Sequence, residues 1–227
     1  MGSSTGRFSA SSKARLTSRD LGRFPGETLF DRLGRAICTA GCLPRKELYE
    51  SWEVARRTRR LFRGGRVVDL GGGHGLLAQT MLLLDDSSPG AVVVDTAMPA
   101  SAAAVQAALV QAWPRLRNRV AFVQADFDDV TLSSGDVVVS SHACGTLTDR
   151  VLHRAMTAAA RVAVLPCCHD DNTCDAGPIA GWIDRALAVD VMRAIGLERA
   201  GYRVWTQRIP AAVTPKNRLL LGAPDPA

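Results

Sequence analysis

Short apolar runs recur along the middle of the chain, at RVVDL (66–70), AVVVD (91–95), RVAFVQ (119–124), DVVVSS (136–141) and RVAVLP (161–166). Each is rich in valine and short, so each reads as a strand buried on both faces. Helical patterns fill most of the gaps, at 73–84, 98–112, 146–159 and 178–200. This alternation predicts a parallel sheet covered by helices on both sides, and right-handed crossovers make it open and doubly wound. The rhythm changes at the end, where GYRVWTQRI (201–209) and NRLLLGA (217–223) follow one another without a helix between them. A helix-free connection predicts an antiparallel pair. The expected fold class is α/β, with seven strands, mostly parallel, and an antiparallel last strand.

Two helices are expected ahead of the sheet. Leu29, Phe30, Leu33 and Ile37 share one face of the first. A Gly-Cys-Leu-Pro break separates it from the second, which Pro44 opens and which carries Leu48, Trp52, Ala55 and Leu61 as its apolar stripe. They form an N-terminal helical segment over 27–63 of a single domain spanning 27–227. At 227 residues the chain has room for one well-packed α/β domain rather than two.

Charge changes the picture only once it is located. The chain carries +6 overall, but residues 1–26 hold +4 and residues 56–66 hold six arginines and no acid. The remainder is therefore mildly acidic. That is a weak footprint for a general nucleic-acid binder, although Arg56–Arg66 could meet RNA. The simplest reading of the arginines is a solvated helix C-terminus that complements the helix dipole. The Ser/Arg-rich segment 1–26 is expected to be a disordered basic tail, and its composition resembles an organelle transit peptide. A cytoplasmic location is expected, with the mitochondrial or plastid matrix as the alternative. No run of 18 uncharged apolar residues occurs, which argues against a membrane span. The six cysteines are unevenly placed, and free thiols in a reducing compartment are expected.

The strongest motif is VVDLGGGHG (67–75), which reads Asp69-x-Gly71-x-Gly73-x-Gly75 between a strand and a helix. Glycines there permit positive φ and let a ligand approach the backbone closely. The acid ending the strand and the absence of GxGxxG spacing separate it from a dinucleotide-binding turn. This motif resembles motif I of class I S-adenosylmethionine-dependent methyltransferases, whose Rossmann-like sheet carries the same strand pattern. The resemblance implies S-adenosyl-L-methionine as cofactor, held by Asp69, Gly71, Gly73 and Gly75. It also implies that Asp95, ending strand two, holds the ribose hydroxyls, and that Asp126, ending strand three, contacts the adenine. A carboxylate suits vicinal hydroxyls because it accepts twice in one plane. Helix capping is the competing reading for both acids. Phe127 lies along the adenine face or packs into the core.

Ligands of such sheets gather at the carboxyl ends of the strands. There the chain reads SSHACGTLTD (140–149) and LPCCHDD (165–171). The pattern H-x-C-G-x-x-T-D followed by C-C-H resembles a subgroup that includes eukaryotic tRNA 2′-O-ribose methyltransferases. The separate zinc-finger region of those enzymes does not occur in these residues. His142 and His169 are expected to converge beside the methyl donor, where a neutral imidazole can take a proton from an acceptor. Cys144, Cys168, Lys216 and Asn217 are candidate substrate contacts, although Pro and Asn at 215 and 217 also suit an ordinary turn.

The cysteines admit sharper readings. The His142, Cys144, Cys167, Cys168, His169 and Cys174 set has zinc-type donors, but its spacing is no standard knuckle and adjacent cysteines rarely share one ion, so no metal is expected. A Pro166-Cys167 nucleophile of the cytosine-C5 type would need a second Pro-Cys after strand four, where His-Ala-Cys stands instead. Inert thiols packing the strand ends are the default. No Asn/Asp-Pro-Pro-aromatic motif ends strand four, so resemblance to amino-methyltransferases is lacking. The resulting expectation is a methyltransferase whose acceptor is RNA (tRNA or rRNA) or a small molecule. A non-catalytic binding protein on the same fold is the alternative.

Overall fold

The computed structural model describes residues 8–170 and 172–225. Seven strands form one sheet in the order β3-β2-β1-β4-β5-β7-β6. The first five, β1 (Val67–Leu70), β2 (Ala91–Asp95), β3 (Val120–Gln124), β4 (Val137–Ser140) and β5 (Arg161–Val164), all pair in parallel. Strand β7 (Arg218–Pro224) runs antiparallel to both β5 and β6 (Tyr202–Arg208). This is the expected sheet, including its single reversed strand.

Alternate residues of each strand feed two cores, as the pleat requires. Val67, Val93, Val137, Val139, Ala163 and Leu221 face one layer, filled by helices α1 (Leu29–Ala40), α2 (Arg45–Leu61), α3 (Leu76–Leu84) and α4 (Ser101–Ala112). Val68, Leu70, Val94, Val138, Val162 and Leu220 face the other, where helices α5 (Thr146–Thr157) and α6 (Arg185–Arg199) contribute Val151, Leu152, Ala155 and Leu197. Valine suits both faces because its branched side chain packs well on a pleated surface.

Two expectations need correction. The helix expected over 178–200 is broken: a 3-10 turn covers Pro178–Gly181, and α6 starts only after Asp184, whose side chain accepts from Leu187 N–H at 3.0 Å. The tail expected to be disordered over 1–26 is ordered from residue 8 onward; residues 1–7 lie outside the described residues. Leu16 N–H donates to Leu43 O at 2.9 Å, and Leu16 and Phe24 are fully buried against α1 and α2. Burying two such side chains stabilises the docked segment by roughly 1.5–3 kcal/mol each, enough to offset part of its ordering entropy. Among the described residues no helix is long and apolar enough to cross a membrane.

Candidate functional site

Strand β1 ends in the glycine turn, and backbone chemistry clamps that turn to β2. The N–H groups of Gly71 and Gly72 both donate to Val94 O, at 2.8 and 3.2 Å, and Gly75 N–H donates to Gly72 O at 2.8 Å. Gly71, Gly73 and Gly75 have φ of 71°, 48° and 68°, the left-handed region that glycine enters without steric cost. At Gly75 a Cβ would also stand 2.8 Å from Phe122 and Val93, so the helix start is packed directly onto the sheet.

A cavity of about 210 Å³ opens above the turn, lined by Gly71–His74 from the loop, Asp95 from β2, Ser141 and His142 after β4, and Glu47 and Ser51 from α2. Asp95 faces the loop across it. Its Oδ2 accepts from Gly73 N–H at 3.1 Å and its Oδ1 from Ala97 N–H at 3.2 Å, which leaves a lone pair on each oxygen for a ligand hydroxyl.

Asp69 does not line this cavity. It is buried beneath the turn, where Oδ2 accepts from Ala78 N–H at 3.3 Å while Oδ1 has no donor among the described residues. Burial pushes its carboxyl up to about 7, the Ala78 bond opposes the shift, and nearby Asp95 adds to it. The residue supports the loop from below, through its bond to the first turn of α3.

Asp126 and Phe127 also stand apart from the cavity. Asp126 caps the 3-10 turn Phe127–Asp129, accepting from Asp128 N–H at 3.0 Å, and pairs with Arg150. The Asp128 N–H and then the guanidinium hold its carboxyl below the usual range. Of the two readings of Phe127, the structure has the packed one. It is buried among Leu70, Val94 and Ala143, directly beneath Gly71.

The two histidines part company. His142 lines the cavity, and its loop is fastened by Ser140, whose hydroxyl donates to Leu70 O at 2.6 Å and accepts from Ala143 N–H at 3.3 Å. The ring is exposed at the surface yet recessed in the concave mouth. Loss of water there, and then the nearby Lys46 and His74, hold its pKa below the ordinary value. His169 is turned away, its side chain buried and its Nε2 2.7 Å from Asp190 Oδ1 on α6. Asp190 is shared with Arg193 and Arg218, so this imidazole belongs to a buried ionic network. The expected convergence of two histidines is therefore corrected to one, because the segment after β5 bends toward α6.

Lys216 is exposed, and Asn217 closes the β6–β7 turn by donating to Ile209 O at 2.9 Å. Neither reaches the cavity. Cys144 and Cys168 stand together instead, with Cys167, on the loops after β4 and β5. Burial raises the Cys144 thiol, and burial and then Cys144 raise the Cys167 thiol well above its usual range.

The arginine patch is largely structural. Arg59 is buried, donating to Met81 O, Phe62 O and the Ser88 hydroxyl, and pairs with Asp85 at 3.2 Å. Arg56 and Arg57 pair with Glu53, and Arg66 with Asp136.

Of the cavity residues that sequence alone did not single out, His74, Glu47 and Ser51 carry chemistry. His74 sits inside the glycine motif itself and bonds Ser101 Oγ through Nδ1 at 2.8 Å, so its position was a usable signal. Glu47 and Ser51 are one helical turn apart on α2, but nothing local tells that α2 covers the glycine loop. Burial, then Glu50, push the Glu47 carboxyl up to about 7, with Lys46 opposing.

The sequence profile of the methyltransferase-domain family matches residues 48–173, more than half of the chain, from α2 to the loop after β5. The chain belongs to the methyltransferase-domain family. Its fold is that of the class I methyltransferases, and solved structures agree. It is similar to an O-methyltransferase family protein from Burkholderia thailandensis (TM-score 0.53, 17% identity, 92% of this chain and 63% of that one). It is also similar to the mitomycin 7-O-methyltransferase MmcR (TM-score 0.51, 20% identity, 90% and 60%) and to the pyocyanin biosynthetic protein PhzM (0.50, 20%, 93% and 62%). The chain thus spans about three fifths of the length of these structures. Comparison with curated protein sequences finds no match.

Proposed function

We propose that this protein is an S-adenosylmethionine-dependent methyltransferase acting on a hydroxyl acceptor. The observation that carries the reading is the Gly73–Asp95 bond, which draws the glycine turn, the β2 carboxylate and His142 around one cavity. The donor fits this arrangement: glycine backbone lines the floor of the cavity with no side chain to obstruct a ligand, and Asp95 offers two acceptor lone pairs, while Asp69 supports the turn from beneath. When bound, S-adenosylmethionine supplies an electrophilic methyl group on a sulfonium. The chain's own part is mostly positioning, with the α2 residues Glu47 and Ser51 limiting water at one wall. His142, neutral near pH 7, accepts the acceptor's hydroxyl proton as the nucleophile attacks. Asp126 contributes at the adenine end if Arg150 yields one of its oxygens.

For the acceptor, the H-x-C-G and C-C-H resemblance favours a ribose hydroxyl of RNA. The arginine patch adds little to that, since Arg59 is spent inside the fold and Arg56 and Arg57 are paired. A small-molecule hydroxyl is the competing acceptor. Incubation with methyl-labelled S-adenosylmethionine and either total RNA or a metabolite extract separates them. Label in RNA, resistant to mild base and absent with His142→Ala, is the expected result. Label only in metabolites rejects RNA, and no transfer to either while the cofactor binds favours a non-catalytic binding protein.

A further inference from the structure

Strands β4 and β5 lie side by side with Ser140 opposite Val164, so the loops leaving them start level. Cys144 lies four residues beyond Ser140, and Cys167 and Cys168 lie three and four beyond Val164. Equal offsets bring the cysteines to the same height, and Gly145 N–H donates to Cys168 O at 3.1 Å to tie the loops together. Within a strand, consecutive side chains point to opposite faces. Cys167 and Cys168 lie past the end of β5, where that constraint lapses, and their sulfurs turn to one point. The three sulfurs all lie within 4.8 Å of one another, with Cys144 and Cys167 at 2.9 Å.

We propose that Cys144, Cys167 and Cys168 form a zinc site with an open fourth position. A tetrahedral zinc with Zn–S bonds of about 2.3 Å wants sulfurs about 3.8 Å apart, a spacing that small side-chain shifts reach from a cluster whose sulfurs all lie within 4.8 Å of one another. The donors are uniformly soft, as zinc and similar thiophilic cations prefer. Cys144 and Cys168 are exposed, so an ion has a path in. Metal binding would release the three thiol protons, and the cation would offset the repulsion between the three thiolates it gathers. Three protein ligands leave a place for water or for an external donor. The site would also lock together the loops that carry His142 and the segment after β5. Cys38, Cys42 and Cys174 take no part; the Cys174 sulfur instead meets Arg193 at 3.7 Å. The inference does not depend on the identity of the methyl donor or acceptor.

The test uses the full chain, reduced and stripped with chelator, then loaded with Zn²⁺ and freed of excess. Elemental analysis should find one zinc per chain. Cys144→Ser, Cys167→Ser and Cys168→Ser should each weaken zinc binding at least ~10-fold and the triple variant should abolish it, since three-ligand sites lose a third of their donors with each change. Cys38→Ser, Cys42→Ser and Cys174→Ser should retain the ion. Circular dichroism checks that each variant folds; where one does not, thiol labelling of the wild type decides, since zinc should shield three of its six cysteines. Reduced wild type that retains no zinc, zinc that shields no thiol, or a folded triple variant that retains the full equivalent would overturn the proposal.

Discussion

The backbone N–H of Gly73 donates to Asp95 Oδ2 at 3.1 Å, joining the turn after β1 to the end of β2 across the cavity. The bond makes the carboxylate part of the loop's architecture as well as a candidate ligand. It also orients both oxygens, because Ala97 N–H holds Oδ1.

The glycines of the turn should separate by phenotype. At Gly73 a Cβ meets nothing nearer than Asp95 Oδ2 at 4.0 Å, so Gly73→Ala carries only the left-handed backbone cost, ~1–2 kcal/mol. At Gly75 the same cost combines with a Cβ 2.8 Å from Phe122 and Val93. Thermal or urea unfolding should place Gly75→Ala below Gly73→Ala. Gly73→Ala should fold and lose cofactor affinity. Equal stability of the two variants would contradict the packing described for α3.

Asp69 should make stability depend on pH. Its carboxyl titrates at about 7 in the fold against 3.8 unperturbed, so between those values the native state binds more proton than the unfolded chain. Wild-type stability therefore falls as pH rises through that window and levels off above it. Asp69→Asn lacks the titration. Its melting temperature relative to wild type should rise from pH 5 to pH 8; a constant difference would mean that Asp69 is not held in the protonated form by burial.

Arg193 is buried, forks onto Asp149 at 2.7 and 3.0 Å, and also donates to Gly145 O at 2.9 Å. It thereby holds the start of α5, next to the loop that carries His142. Arg193→Met should cost ~2–4 kcal/mol, somewhat less than a wholly buried pair because Asp149 is partly exposed. Denaturant unfolding measures it, and a loss within ~0.5 kcal/mol would place Arg193 among ordinary surface residues.

His142→Ala should lower turnover ~10²–10⁴-fold with little change in cofactor affinity, as expected for a general base. The acidic limb of the wild-type rate profile should lie below the ordinary histidine value, given the crowded mouth and the nearby Lys46 and His74. His169→Ala should instead act through stability, since its ring is tied to Asp190. An unchanged rate for His142→Ala would remove it from the chemistry.

Much of the fold was legible because its signals are local. The valine runs of β1, β2 and β4 are continuous since both faces of a parallel sheet are buried, and glycines at 71, 73 and 75 announce a turn with positive φ. What stayed hidden depends on distant partners. Leu16 and Phe24 are isolated apolar residues in a Ser/Arg-rich segment, and only their pairing with the chain near Leu43 and with α1 gives them a core to enter. The break before α6 was masked because apolar spacing continues across Trp182 and Ile183, both of which are exposed. His169 reads like His142 in sequence, yet Asp190, twenty-one residues on, decides its direction. Arg59 looks like its neighbours but is buried, where it meets Ser88 and Asp85 in the interior, while Arg63 reaches Asp85 from the exposed side.

The most direct measurement is isothermal titration of S-adenosylmethionine into wild type and Asp95→Ala. Saturable binding at one site is predicted, weakened in the variant by ~1.5–3 kcal/mol, the scale of charge-assisted hydrogen bonds, with the melting curve of the variant still cooperative. Equal affinity in the two folded proteins, or no binding to wild type, would contradict the site described around Gly73 and Asp95.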